Sequence, residues 1–226
     1  MVKFNDVTKS FGETTALDKV SFEIEKGEFV FIIGPSGAGK STLIKLLLKQ
    51  IQPTEGSIEV HGQDISEIRK KKVAEYRRKI GVVFQDFKLL CDRTVFENVA
   101  LTLRVLGEKE EVIEEKVENI LDLVGLKEKR DFFPSQLAGG ELQRTCLARA
   151  VVSDPEIIIA DEPTGNLDIG IARQIVDLLK KINDTGKIVI MATHNFEIVN
   201  ALGQRVLELE KGKLISDKKK GKYHLS

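Results

Sequence analysis

Gly34-Pro35-Ser36-Gly37-Ala38-Gly39-Lys40-Ser41 gathers three glycines, a lysine and a hydroxyl at its end into one short run. Glycines at this spacing let consecutive backbone N–H groups turn inward around a polyanion. The Lys40 ammonium adds a point charge for terminal phosphates, and Ser41 Oγ is a hard oxygen ligand suited to Mg²⁺. Thr42 follows, with a hydroxyl in reach of a further phosphate. A second group lies far downstream, where Ile157-Ile158-Ile159-Ala160 runs into Asp161-Glu162. A buried strand ending in two acids brings one carboxylate, Asp161, to a cation directly or through water. The other, Glu162, is left to orient or deprotonate an attacking water. By itself such a strand end is as compatible with two solvated acids; the glycine loop upstream separates the readings. Together the groups spell Mg²⁺-dependent hydrolysis of ATP or a similar triphosphate.

These groups act only if a strand precedes the glycine loop and a helix follows it. Phe29-Val30-Phe31-Ile32-Ile33 is a continuous apolar run, as in a central strand buried on both faces. A helix is expected over residues 41–49, which puts the loop at the positive end of a helix dipole. Val20, Phe22 and Ile24 alternate with polar residues as a half-buried strand does, and Lys26-Gly27-Glu28 reads as a turn. Residues 56–62 and 80–84 read as strands. Apolar residues fall at helical spacing over 110–124, with Gly125 as the stop. A second helix is expected over 140–152. Strands at 157–160 and 188–192 then flank a helix at 171–183. The pattern is an α/β sheet interrupted by a helical insertion.

The chain has 226 residues, with 35 basic and 35 acidic side chains. This balance lacks the basic footprint of a sequence-independent nucleic-acid binder. Cys91 and Cys146 are scattered, which suits a reducing compartment. The start of the chain shows no basic-then-apolar leader pattern, and no apolar run is long enough to cross a bilayer. The expectation is a cytosolic protein able to dock on a membrane partner. The lysine cluster over 218–222 reads as a solvated tail, with attraction to anionic lipid as the alternative.

Between the two chemical groups the resemblance becomes specific. Leu137-Ala138-Gly139-Gly140-Glu141, followed by Gln143-Arg144, resembles the signature of the ABC family, usually written LSGGQ. Gln85 resembles that family's Q-loop glutamine, Asn166-Leu167-Asp168 its D-loop, and Thr193-His194 its H-loop. Phe11 stands where the family has an adenine-stacking aromatic. The resemblance covers about residues 1 to 212. It implies one nucleotide-binding domain over 1–226: a P-loop NTPase core (RecA-like, mainly parallel sheet) with an N-terminal antiparallel β-subdomain, and an inserted α-helical signature subdomain. The core is expected at 1–85 and 153–226, the insertion at 86–152.

The resemblance also implies roles. Gln85 would join Ser41 and Asp161 at Mg²⁺. His194 would donate to the γ-phosphate and position water beside Glu162. The signature residues Leu137 to Glu141, with Asp168, would act in trans on ATP held by a second copy, giving an ATP-bound homodimer. Ala138 departs from the family serine and removes a hydroxyl that would contact the partner's γ-phosphate. This predicts weaker ATP-driven dimerisation, slower turnover or both.

Asp86-Phe87-Lys88-Leu89-Leu90-Cys91-Asp92-Arg93-Thr94-Val95, with Asn98-Val99 beyond, resembles the cell-division ATP-binding proteins of the FtsE family. Residues 76–81 and 160–168 agree but are shared with lipoprotein-release and macrolide-export ATPases. The resemblance implies an FtsX-like integral membrane partner, a place at the cytoplasmic face of the bacterial plasma (inner) membrane, and control of peptidoglycan hydrolases by ATP-driven shape change. The alternatives are an exporter ATPase and a nucleotide-dependent scaffold with little turnover. Phe87, Leu89, Leu90 and Phe96 either form an apolar patch for that partner or fill the helical core.

Overall fold

The computed structural model describes residues 1–165 and 167–219. Asn166 and part of the terminal lysine cluster therefore lie outside the described residues. The chain opens with β1 (Val2–Phe11) and β2 (Thr14–Ile24), an antiparallel pair. β3 (Phe29–Ile33) leads through the glycine loop into α1 (Lys40–Leu47). β4 (Glu55–Val60), β5 (Gln63–Asp64), α2 (Val73–Arg77) and β6 (Ile80–Val83) follow. Three helices come next: α3 (Val95–Leu106), α4 (Glu110–Leu123) and α5 (Gly139–Val151). The chain closes with β7 (Ile157–Asp161), α6 (Ile169–Asn183), β8 (Ile188–Ala192), α7 (Phe196–Leu202), β9 (Arg205–Glu210) and β10 (Lys213–Lys218).

Two sheets form. One is antiparallel, in the order β2-β1-β4-β5; the other runs β10-β9-β3-β8-β7-β6. In the second, β9, β3, β8, β7 and β6 are parallel, and β10 is antiparallel to β9. A strand with period two sends alternate residues to opposite faces, and both faces here are covered. Phe29, Phe31, Ile158, Ala160, Val189 and Met191 point to the core shared with α3, α4, α5 and α6. Val30, Ile32, Ile157, Ile159, Ile188 and Ile190 point to the core under α1 and the antiparallel sheet. Continuous apolar runs are the consequence. Every parallel strand ends on the same edge, where ligands of open α/β sheets bind.

Local signals set the helix ends. Asp168 Oδ1 accepts from Ile171 N–H at 3.0 Å, so α6 starts at Ile169 rather than at 171 as expected from apolar spacing. Thr94 and Glu97 form a reciprocal capping box that starts α3. Buried Asn98 binds the preceding loop: Oδ1 accepts from Leu90 N–H, and Nδ2 donates to the carbonyls of Leu90, Arg93 and Thr94. Phe96 is buried, and Phe87 and Leu89 pack against the core, leaving Leu90 as the exposed member of the four. Of the two readings, the core holds for the other three: Phe96 lies in it, and Phe87 and Leu89 pack against it half-buried. No helix among the described residues is long and apolar enough to cross a membrane.

Candidate nucleotide site

The glycine loop is wedged between two strands. Gly34 has φ 145°, and a Cβ there would stand 2.1 Å from the Leu209 carbonyl oxygen of β9. Gly39 has φ 109°, and its Cβ would meet Leu17 Cδ2 at 2.6 Å and the Ala16 carbonyl oxygen at 2.8 Å. No side chain fits at either place, so the loop lies flush on the sheet edge and opens α1. Lys40 Nζ folds over it, donating to the carbonyls of Gly34 at 2.6 Å and Pro35 at 3.1 Å. The far end of α1 is anchored too: Tyr76 Oη donates to Leu47 O at 2.6 Å, and the Arg77 guanidinium to Leu48 O and Lys49 O.

A cavity of about 540 Å³ lies over the loop, lined by Ser36 to Thr42, Ala16, Gln85, Asp161, Glu162 and His194. The ends of β3, β6, β7 and β8 supply these groups, and the parallel register brings together residues far apart in sequence. Burial, then the adjacent Glu162 charge, raise the Asp161 pKa; Lys40, Lys45 and Lys88 pull it part of the way back. Glu162 has φ 48°, left-handed for a residue with a Cβ, and its N–H is held by Ala192 O at 2.9 Å. This strained turn at the end of β7 is of the kind that collects at functional sites. His194 Nδ1 lies 2.9 Å from Glu162 Oε1, and a carboxylate acceptor assigns the proton to Nδ1. Gln85 stands close to Gly165, where a Cβ would come within 3.3 Å of Nε2.

The donors Ser41 Oγ, the Gln85 amide and Asp161 are all oxygen ligands, as Mg²⁺ requires. Among the described residues no three His, Cys, Asp or Glu side chains cluster to hold a metal. A cation here would have to complete its shell with water or phosphate oxygens, which is how Mg²⁺ enters nucleotide sites. The raised, incompletely compensated Asp161 carboxylate fits that ion.

Other expected residues lie elsewhere. Gly34 and Pro35 shape the loop without lining the cavity. Phe11 ends β1 half-exposed, with Lys9 Nζ 5.0 Å from its ring centroid, and is not in the lining. Leu137 to Glu141 and Asp168 do not line it either. Ala138 precedes α5 in extended conformation, Gly139 and Gly140 form its first turn, and Glu141 Oε2 accepts from Ala138 N–H at 2.9 Å. Gly140 allows α5 to meet α6, since a Cβ would stand 2.5 Å from Ile171 Cγ2. Ala16 and Gly165 were not legible as site residues: their contacts arise from the tip of β2 and the loop after β7, with no local motif.

Residues 17–165 match the ABC transporter family. The chain is 48% identical to the cell division ATP-binding protein FtsE of Bacillus subtilis (strain 168), over 99% of this chain and 98% of that one. It is 45% identical to the methionine import ATP-binding protein MetN of Haemophilus influenzae, over 95% of this chain and 64% of that one. A dimeric ATP-binding cassette in a post-hydrolysis state, bound to ADP and Pi, superposes with TM-score 0.88 at 36% identity, covering 99% of this chain and all of that one. The chain belongs to the ABC transporter family, as an ATP-hydrolysing cassette of the FtsE type.

Proposed function

We propose that the chain is the ATPase subunit of a complex with an FtsX-like integral membrane protein. It would sit peripherally on the cytoplasmic face of the bacterial plasma (inner) membrane and convey ATP-driven shape change across it to regulate peptidoglycan hydrolysis during division. The observation that carries the enzymatic part is a separation. Lys40, Asp161, Glu162 and His194 line one cavity, while the signature turn before and within α5 lies off it. Two copies set head to tail would bring each signature turn to the other's cavity, and the ADP- and Pi-bound neighbour is dimeric. The division role is supported by the FtsE relatives and by the Asp92-Arg93-Thr94 segment.

Each residue then has a task. Backbone N–H groups from Ser36 to Thr42 bind the phosphates, aided by the α1 dipole, and Lys40 leaves its loop carbonyls for the terminal phosphates. Phe11 stacks on adenine at the rim. Mg²⁺, held by Ser41, Gln85 and Asp161, would neutralise phosphate charge. Glu162 orients or deprotonates the attacking water. His194 turns a ring N–H to the terminal phosphate and positions the water beside Glu162. The second copy's Gly139 and Gly140 amides, at the start of α5, cap that phosphate, with Leu137, Ala138, Glu141 and Asp168 at the seam.

The test is a membrane pull-down with tagged Glu162→Gln in ATP, the recovered proteins identified by mass spectrometry. Recovery of an FtsX-like protein supports the proposal. Recovery of a lipoprotein- or drug-export permease overturns the division role and leaves the ATPase intact.

A further inference from the structure

The segment after β6 bends at two residues that local sequence does not favour there. Phe87 has φ 55° and Lys88 φ 50°, and Lys88 N–H donates to the Asp86 carbonyl at 2.5 Å, closing a three-residue turn. Left-handed conformation at two consecutive residues bearing Cβ atoms persists only when the surroundings impose it. Here α5 imposes it. Arg149 Nη1 donates to Lys88 O at 2.7 Å and Nη2 to Phe87 O at 2.9 Å. Cys146 Sγ–H donates to Phe87 O at 3.1 Å. Burial pushes the Cys146 thiol up to about 12, so it keeps the proton it donates.

The bend begins just after Gln85. The helix that holds it is the one whose first turn carries Gly139 and Gly140. The span from Gly139 to Arg149 along α5 is roughly 15 Å of unbroken helix. We propose that Arg149 is a positioning residue for Gln85: its guanidinium fork holds both carbonyls of the bend and couples displacement of the signature end of α5 to the Q-loop amide. Docking of the signature turn on a second copy then reaches the Mg²⁺ side of each site through a hydrogen-bonded strut. The proposal rests on the reading of Gln85 as a ligand near Mg²⁺.

The test uses Arg149→Met, which keeps the aliphatic stem and removes both donors, and Arg149→Lys, which keeps the charge without the fork. Amide hydrogen exchange over residues 84–90 should speed up at least about tenfold in Arg149→Met while β6 and α5 keep their protection. Its kcat should fall about 10- to 100-fold, as for a catalytic group held out of place, and its ATP affinity without Mg²⁺ should change less than about twofold. Lys88→Gly added to Arg149→Met should recover part of the kcat, because glycine accepts the bend without the clamp. Should Arg149→Met fail to fold by circular dichroism, Arg149→Lys carries the test, with the same signs and smaller changes. Unchanged exchange and kcat within about twofold overturn the clamp, as does failure of Lys88→Gly to rescue. Gln85→Ala separates the levels. If it leaves Mg²⁺-dependent kcat intact, the reading of Gln85 fails; if it lowers kcat while the Arg149 variants do not, the clamp alone fails.

Discussion

Ala138→Ser should act twice, through the fold and through the dimer. Ala138 is exposed and extended just before α5, with φ −70° and ψ 160°. Glu141 already supplies half of a capping box, its Oε2 accepting from Ala138 N–H at 2.9 Å, but alanine has no oxygen to accept in return from a first-turn N–H. A serine completes the box, and an N-cap hydroxyl in place of alanine is worth about 1 kcal/mol. For a chain of this size that is about 2–4 °C in Tm, read without nucleotide. Across the proposed dimer the same hydroxyl faces the partner's terminal phosphate. A hydrogen bond to a charged group contributes about 1.5–3 kcal/mol, and two symmetric sites make ATP-dependent dimerisation roughly 10²- to 10⁴-fold tighter. Differential scanning calorimetry of the nucleotide-free chain isolates the cap. Sedimentation equilibrium in a Glu162→Gln background with ATP isolates the trans bond. A raised Tm with an unchanged dimer constant would place position 138 away from the partner's phosphate. An unchanged Tm would refute the capping argument.

Asp161→Asn should abolish Mg²⁺-dependent turnover and stabilise the ligand-free fold. Removing this desolvated charge should raise the Tm of the ligand-free chain at neutral pH. Because the folded pKa of Asp161 is raised, its contribution to stability is present below the ordinary carboxylate range and lost as pH rises through the raised value. The Tm gap between Asn variant and wild type should therefore open with rising pH and close in acid; a gap independent of pH would refute the assignment. Protons should also compete with Mg²⁺, weakening its affinity as pH falls. Asn98→Ala strands Leu90 N–H and the Arg93 carbonyl, since the Leu90 and Thr94 carbonyls keep backbone donors, and should cost about 1–3 kcal/mol in urea unfolding; a loss under about 0.5 kcal/mol would mean that the Leu90–Thr94 loop is held by other contacts.

What was legible in the sequence follows physical lines. β3, β7 and β8 could be read because strands covered on both faces are continuous apolar runs. β1 could not: its register shifts between Phe4 and Val7 and again toward Lys9, which breaks the alternation. α3 was missed although Thr94 and Glu97 spelled its capping box. α6 begins early because Asp168, noted for its resemblance to a D-loop, is also an N-cap. The cavity residues Lys40, Ser41, Asp161, Glu162, Gln85 and His194 were each at a strand end or helix start, where side chains are forced to one edge. The Arg149 contact had no such signal: it joins residues some sixty apart through backbone carbonyls, which carry no sequence. Phe87 and Leu89 stayed open between two readings because apolar residues in a loop read the same whether they face a partner or their own core.

The central claim, that two copies share each ATP, is tested most directly by light scattering of Glu162→Gln with saturating ATP and Mg²⁺. The account predicts a mass that doubles with ATP and returns to the monomer with ADP. A chain that stays monomeric in ATP, even with Ala138→Ser added to strengthen the seam, would contradict it.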